Sequence, residues 1–470
     1  MPGRPGTRGT LLAGLVATAL VTGCVTRGEP TPLATPLTTS ASPTSVPPAT
    51  PRPTSSPVLD VPGLFRQVSP SVLFVGTPVG TGSGIVIDER HVLTNAHVVR
   101  PFGEARLVDS RGAELGTATV VGWDLLADLA VLEAAQPFDA PTIAVGRPSS
   151  VGAGETVYLV GYPEADPAAP VARITSGIVT GRPLEWRDDL SYLETDAAMG
   201  SGQSGGALVD AAGRLLGISG GTRGSIAVSL DARDALDIVG RLLAGEDVDG
   251  LGDRLIQPAP ADAPRRRRAR IRNRADVHAW VVSGHQGDAR ATIDVTAGGN
   301  VGLYALAAAG ELASGGGLPG RSLTVTLDYG PPGPYLVKVE PFADAAIDVT
   351  LRATVGLTPL VDPDDGPELR VGDRYVGVAD YAGDIDWFTV RLAKGDGVLV
   401  SASGAGFDPA LFIDAVETGR TIAAGRDAGG PLGMDDVVRI DPPKAGVYRI
   451  VVSDRRFIGF GGYRLEIARA

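Results

Sequence analysis

Met199-Gly200-Ser201-Gly202-Gln203-Ser204-Gly205-Gly206-Ala207-Leu208 sets a serine among glycines and runs directly into an apolar, strand-like Ala207-Leu208-Val209. Glycines let the chain fold tightly around a side chain without a Cβ clash. A serine that performs acyl transfer needs such a turn, because the amides of Gly202 and Ser204 can then point at one place and hold the oxyanion of a tetrahedral intermediate. Taken alone, the same residues also describe a plain Gly/Ser hairpin turn. The residues upstream decide between the two.

A serine hydroxyl is a weak nucleophile. It needs a base, and the base needs an acid to orient it. The histidines are His91, His97, His278 and His285. His97 follows an alternating apolar run in Leu93-Thr94-Asn95-Ala96-His97-Val98-Val99, and Asp128 stands in Ala127-Asp128-Leu129-Ala130-Val131-Leu132. The chain order His97, Asp128, Ser204 is that of the chymotrypsin-like proteases. His91 falls at a turn and reads as a surface or packing residue. His278 and His285 lack acidic or cysteine partners at ligand spacing, so no chemistry is assigned to them.

Thr94-Asn95-Ala96-His97-Val98-Val99, Asp128-Leu129-Ala130-Val131-Leu132 and Thr195-Asp196-Ala197-Ala198 before Gly202-Gln203-Ser204-Gly205-Gly206 resemble the HtrA/Deg branch of trypsin-like serine proteases, over residues 62–240. The resemblance implies a mainly β fold with two six-stranded barrels and the three residues in their cleft. His97 would be the general base, Asp128 its orienter, Ser204 the nucleophile, and Gly202 and Ser204 the oxyanion hole. It implies no cofactor and no metal. Gln203 departs from the asparagine usual in that family, and the position is expected to offer mainly backbone. In secreted trypsin-like zymogens an aspartate before the nucleophile pairs with a newly formed N-terminus. Gln203 cannot make that salt bridge, so control by substrate or by another subunit is expected, which leaves homo-oligomerisation open. By the same resemblance the floor of the primary pocket is Ala198, with Met199 beside it and Ser219 and Gly220 on the opposite wall. A buried guanidinium or ammonium needs a paired charge, and Ala198 offers none. Cleavage after Val, Ala, Ile or Leu is therefore expected, with Asp196 as the competing anchor for a cation.

At 470 residues the chain has room for several domains. A hydrophobic fraction of 43% provides for packed cores, and 64 glycines with 37 prolines favour β-rich domains with many turns. The net charge of −12 argues against nucleic acid as a partner. Cys24 is the single cysteine, which excludes an internal disulfide and a cysteine-ligated metal. Residues 1–23 read as a secretion signal, with Arg4 and Arg8 before an apolar Leu11 to Val21 too short to span a bilayer. Val21-Thr22-Gly23-Cys24 resembles a bacterial lipobox, which implies lipidation of Cys24 and anchoring to the outer face of the cell membrane. Residues 24–57 are rich in Pro, Thr and Ser and read as a disordered tether, reaching about 100 Å if extended.

The protease region is expected over 58–245, with strands at Val72–Val75, Ile85–Ile87, His91–Asn95, Leu107–Val108, Thr117–Val121 and Leu129–Leu132, and a turn at Gly80–Gly84 between the first two. A second set follows at Thr156–Val160, Ile174–Thr180, Leu190–Thr195, Ala207–Val209, Leu215–Ser219 and Ile226–Ser229. Asp231–Ala244 has the 3.6-residue periodicity of an amphipathic helix. Residues 246–270 read as a linker ending in the run Arg265-Arg266-Arg267-Arg268, a solvated stretch or a patch for an anionic partner. Two β-sandwiches are expected at 271–355 and 370–470, joined by a linker at 356–369. The second, opening on Asp384-Ile385-Asp386-Trp387-Phe388, is similar to the bacterial pre-peptidase C-terminal domain, and the first repeats it loosely. Trp280 and Trp387 are expected to plug the two cores. Asp384, Asp386 and Asp408 could ligate calcium but read more simply as solvated turn residues. Two functions fit: a membrane-tethered serine endopeptidase acting on exported or misfolded proteins, and a silent surface lipoprotein serving in adhesion or scaffolding.

Overall fold

Short alternating apolar runs separated by Gly, Pro and Asp turns cannot bury their faces singly, and here they close on themselves. The computed structural model describes residues 60–182, 190–252, 254–284, 290–308, 310–317, 319–330, 333–404, 408–427, 435–455 and 461–470. The signal, the tether, Cys24 and His285 lie outside these residues. The first barrel consists of β1 (Val72–Gly76), β2 (Thr81–Val86), β3 (His91–Thr94), β4 (Glu104–Val108), β5 (Glu114–Asp124) and β6 (Leu129–Ala134), closed in the order β1-β2-β3-β6-β5-β4. The second consists of β7 (Thr156–Gly161), β8 (Arg173–Gly181), β9 (Tyr192–Thr195), β10 (Ala207–Val209), β11 (Leu215–Arg223) and β12 (Ile226–Asp231), closed in the order β10-β11-β12-β9-β8-β7. Closure removes every free sheet edge, which an isolated sheet would expose for pairing. One apolar cluster runs from Phe74, Leu93 and Leu129 of the first barrel to Val160, Ala207 and Ile218 of the second, so the barrels share a core.

Among the described residues three α-helices accompany the barrels: α1 (Val61–Val68), α2 (Ala96–Val99) and α3 (Ala232–Leu243). The α3 helix is the expected amphipathic one. The Asp231 carboxylate caps it by accepting from the Arg233 amide, and Ala235, Ile238, Val239 and Leu242 are buried against the barrels. The α1 helix was not anticipated. Asp60 caps it through the Gly63 amide, and its Leu64 and Val68 join the shared core. The expected turn at Gly80–Gly84 is a correction. The turn is Thr77–Gly80, and β2 starts at Thr81 with Gly82 and Gly84 inside it. Those positions are small because a Cβ at Gly82 would strike Val98 and one at Gly84 would strike Val92 and Val75.

The C-terminal region forms two sandwiches. In the first, strands Arg266–Ile271, Ile347–Ala353, Arg290–Ala297 and Ser322–Asp328 pair in that order. They face a sheet ordered Gly310–Gly317, Val301–Ala307, Leu336–Pro341, His278–Val282 and Leu357–Pro359. Both sheets feed one core that includes Trp280. In the second sandwich, Asp365–Leu369, Ile385–Leu392, Gly446–Asp454, Pro409–Ala415 and Arg420–Ala424 face Arg374–Ala379, Gly461–Arg469, Val398–Gly404, Asp435–Ile440 and Arg426–Asp427.

Four sequence expectations change here. Arg266 to Arg270 lie in a strand rather than a solvated linker, paired antiparallel with Ile347–Ala353. It is an edge strand that buries Ile271, so its arginines guard the edge. The stretch before it is also ordered against the first barrel: Asp249 accepts from the Leu125 amide at 2.6 Å and Leu251 packs on the barrel core. Trp387 does not plug the second core. It sits with Ala275 and Val451 between the two sandwiches, with the Arg272 guanidinium 4.7 Å from its ring centre. Asp384 and Asp386 are not solvated turn residues, since both are almost fully buried.

Candidate active site

The short α2 helix begins at Asn95, directly after β3, and carries His97 in its first turn. Asp128 ends the connection from β5 to β6 and has φ +56°, a left-handed conformation that non-glycine residues seldom adopt. In that conformation it grips α2 at four points. Its Oδ2 lies 2.6 Å from His97 Nδ1, its Oδ1 accepts the His97 amide at 2.9 Å, and its carbonyl accepts from Asn95 Nδ2 at 2.8 Å and the Ala96 amide at 3.1 Å. The ring and its backbone are thus held by one residue, a geometry that fixes Nδ1 as the protonated nitrogen and leaves Nε2 as the base. Burial works against the imidazolium. The Asp128 charge and hydrogen bond outweigh it and hold the His97 pKa above that of a free histidine.

The nucleophile loop is tied down on every side but one. The Ser201 carbonyl accepts from the Glu164 amide at 2.7 Å and the Gly202 carbonyl from Ser83 Oγ at 2.8 Å. The Gln203 carbonyl accepts from Ser219 Oγ at 2.5 Å and the Ser204 carbonyl from the Ser83 amide at 2.8 Å. With the carbonyls engaged, the Gly202 and Ser204 amides donate to no acceptor among the described residues. Two free donors beside a half-buried serine are the elements of an oxyanion hole. Gly202 and Gly205 have φ +91° and +80°, and a Cβ on either would collide with backbone, the Tyr162 carbonyl for one and the Ser83 carbonyl for the other. Ser204 Oγ points to the Gly220 carbonyl at 3.5 Å, a weak contact that a bound substrate can replace.

Several supports escaped the sequence reading. Ser83, fully buried, links the barrels: it bonds Gly202 and Ser204 and also accepts from the Tyr162 amide at 2.9 Å. Thr94 Oγ1 secures the Ser83 carbonyl at 2.7 Å. The signal was present in Thr81-Gly82-Ser83-Gly84, whose reading as a turn hid it. The Gln203 side chain contributes more than backbone, since its Oε1 accepts from the Gly200 amide at 2.7 Å.

Of the residues assigned to the pocket, Ala198 is exposed, with its carbonyl held by Thr175 Oγ1 at 2.8 Å, and Met199 packs against the apolar cluster that includes Val157, Leu159 and Leu208. Gly220 lies beside the nucleophile. Ser219 turns its side chain under the loop, so it offers backbone alone to a pocket wall. Asp196 is tied to the Ile178 amide at 2.7 Å. His91 pairs with Asp88 at the head of β3, and His278 stacks on Trp280 with Nε2 3.4 Å from Asp276, an acidic neighbour the sequence reading did not place there. Among the described residues, Asp362, Asp384 and Asp386 form a group that could hold a cation, one carboxylate oxygen from each lying within 4.8 Å of the others. None of them belongs to the site above.

The back of the site is covered by the C-terminal half of the chain. Arg100 ends α2, donating its amide to the Ala96 carbonyl at 2.9 Å, and its guanidinium is buried 3.8 Å from Asp380 of the second sandwich. Val378 of the same sandwich is fully buried in a core cluster with Ala96, Val98, Val99, Trp123 and Leu125.

Residues 82–218 match the trypsin-like peptidase domain. The HtrB Do-like serine protease of Bacillus subtilis is 31% identical over 193 residues, covering 39% of this chain and 40% of that protein. A DegP-like periplasmic serine endoprotease of Hahella chejuensis is 37% identical over 175 residues, covering 34% of this chain and 35% of that one. Among solved structures, a serine endoprotease from Yersinia pestis is 28% identical, covering 38% of this chain and 65% of that chain with a TM-score of 0.34. The chain thus spans 40% or less of the length of these two curated relatives. Over residues 82–218 the chain carries a trypsin-like peptidase domain related to the HtrA/Deg serine proteases.

Proposed function

We propose that this protein is a serine endopeptidase in which His97 is the general base, Asp128 its orienter and Ser204 the nucleophile. The observation that carries this reading is the double grip of Asp128 on His97 together with a loop that leaves the Gly202 and Ser204 amides free. As a substrate enters, Ser204 Oγ leaves the Gly220 carbonyl and passes its proton to His97 Nε2 while attacking the scissile carbonyl carbon. The oxyanion so formed lies against the two free amides. Collapse breaks the C–N bond, and the proton on Nε2 leaves with the amine. Water then repeats the sequence on the acyl-enzyme and releases Ser204.

The substrate side chain next to the cleaved bond meets Ala198, Met199 and Gly220. Ala198 and Met199 bring no charge to it, and Asp196, the competing anchor for a cation, turns its Oδ1 to the Ile178 amide. This supports cleavage after small or medium aliphatic residues, and one methylene more or less changes the rate by about 10 to 200-fold. The substrates are exported or misfolded proteins, and the enzyme stands on the outer face of the cell membrane through a lipidated Cys24 and the 24–57 tether, with the C-terminal sandwiches as non-catalytic modules. Labelling by a fluorophosphonate probe tests the reading: Ser204 takes up the probe and Ser204→Ala does not. An unlabelled wild-type protein overturns it. Mass spectrometry of the mature N-terminus tests the anchor, with an acylated Cys24 expected and an unmodified N-terminus beyond Cys24 against it.

A further inference from the structure

We propose that the second sandwich positions the catalytic pair, with Asp380 and Gly462 acting through Arg100 and Leu125 on the segments that carry His97 and Asp128. This rests on the catalytic reading of His97, Asp128 and Ser204 given above.

Two contacts from the sandwich reach the two segments independently. The first is ionic. Asp380 follows strand Arg374–Ala379, and its Oδ1 faces the guanidinium of Arg100, the residue that closes α2 three positions after His97. Arg100 is buried at 3% exposure, with its guanidinium also over the Trp123 ring at 5.4 Å. Asp380 is itself fixed: Oδ2 receives Arg254 at 3.0 Å, and its amide donates to Asp384 at 2.7 Å. A buried guanidinium must keep its counter-charge, so wherever Asp380 is held, the end of α2 is held with it.

The second contact is steric. The turn Asp124–Asp128 delivers Asp128 in its strained conformation. Asp124 stabilises that turn from inside through the Leu126 and Ala127 amides, and Asp249 stabilises it from the linker through the Leu125 amide. Gly462, at the start of strand Gly461–Arg469, lies directly on Leu125, where a Cβ would come within 2.9 Å of its backbone carbon and oxygen. Val378 of the same sandwich belongs to one core with Ala96, Val98 and Leu125. The catalytic pair is therefore backed by a layer that the barrels do not supply. A peptidase domain cut off before the sandwiches would leave the end of α2 and the Asp124–Asp128 turn uncovered and would take Asp380 away from Arg100.

The consequence is specific to the catalytic pair. A loosened α2 or a shifted Asp128 lengthens the His97–Asp128 contact, and the hydrogen bond and charge of Asp128 are what hold the His97 pKa up. The test compares Asp380→Asn, Asp380→Glu and Gly462→Ala with wild type in the full-length protein. Fluorophosphonate titration counts active sites, and a peptide ending in Val next to the cleaved bond supplies kcat, KM and the pH profile. Per titrated site, Asp380→Asn and Gly462→Ala are expected to lower kcat by about 10-fold or more with KM within about 2-fold, since a displaced base weakens transition-state rather than ground-state interactions. Their acid limb of kcat/KM moves to lower pH, and Asp380→Glu restores both readouts. A purely structural effect removes titratable sites but leaves kcat per site and the acid limb where they were, and that result overturns the proposal. Should Asp380→Asn fail to fold, Gly462→Ala decides alone, because it removes no charge. Failure of wild type to label overturns the catalytic reading itself, whereas labelling with unchanged variants overturns only the positioning role.

Discussion

The catalytic cleft and the second sandwich are both built from antiparallel β-strands, yet they bury polar groups in opposite ways. In the cleft the buried hydroxyls and the carboxylate that shape the site are matched to backbone: Ser83 to Gly202 and Tyr162, Thr94 to Ser83, Ser219 to Gln203 and Gly206, Asp128 to His97. What is left over is neutral: Asn95 Oδ1, Gln203 Nε2 and Ser229 Oγ find no partner, and the Gly202 and Ser204 amides lie where charge develops in acyl transfer. The sandwich instead gathers Asp362, Asp364, Asp365, Asp380, Asp384 and Asp386 near Arg254 and Arg100, and Asp365 Oδ1 and Asp386 Oδ1 find no hydrogen-bond partner. Burial and neighbouring carboxylates push the Asp384 and Asp386 carboxyls well up from the usual range. Matched dipoles make a preorganised site, while unmatched charge makes a junction whose strength depends on its counter-ions.

The comparison breaks hardest at the triad. Ser204→Ala, His97→Ala and Asp128→Asn should each lower kcat by about 10³-fold or more, and the triple variant should fall little below the worst single one. Additive losses in peptide hydrolysis would mean that the three do not act as a unit. The next test is at the junction. Arg254 reaches Asp380 at 3.0 Å and Asp364 at 3.2 Å with a side chain only 14% exposed. Arg254→Met leaves both carboxylates buried with one charge fewer and should cost about 3–5 kcal/mol of stability, read by urea unfolding. Ser83→Ala sharpens the other side. It removes the hydroxyl that serves Gly202 and Tyr162, and should cost about 1–3 kcal/mol for the groups left unsatisfied. Because one of those groups is the Gly202 carbonyl, kcat should fall while KM holds, which steady-state kinetics will show.

What could be read in advance follows the same division. The barrels announce themselves through period-2 alternation and through motifs whose chemistry needs particular residues at particular places: His97, Asp128 and Ser204 between glycines. The α3 helix shows its 3.6 period and its Asp231 cap. Ser83 was misread because its neighbours are glycines. Local turn propensity said loop, while packing against Val98, Val92 and Val75 required small residues inside a strand. The arginine strand was misread because charge dominates its composition, and only Ala269 and Ile271 reveal the inward face. The junction was illegible for a deeper reason. Arg100 and Asp380 are 280 positions apart, Arg254 and Asp364 are 110, and no local pattern marks a residue whose partner lies in another domain. The aspartates of the second sandwich look like solvated turn residues by every local rule. They are buried because that end of the sandwich packs against Arg254 of the linker, Arg272 and Asp276 of the first sandwich and Arg100 of the protease.

The last test, read as a slope with pH, discriminates most finely between matched and unmatched burial. Burial, with the Asp362, Asp384 and Asp276 charges behind it and the Arg272 charge opposing, pushes the Asp365 carboxyl up to about 10, and its Oδ1 has no hydrogen-bond partner. In the unfolded chain the same group ionises near 3.9. A carboxyl whose native pKa is raised contributes stability that is fully present below its unfolded pKa and is lost as pH rises toward its folded pKa, because the unfolded chain releases the proton first. The native protein therefore loses stability at this residue between about pH 4 and pH 10. Asp365→Asn keeps the shape of the protonated acid and cannot ionise in either state. Its unfolding midpoint relative to wild type should then climb steadily from pH 5 to pH 8.5, from a small gain to a larger one. Thermal unfolding of the Ser204→Ala background at the two pH values, which avoids self-cleavage, measures it. A difference that stays flat with pH would place Asp365 in an environment that already balances its charge, and the contrast between cleft and junction would fail at that residue.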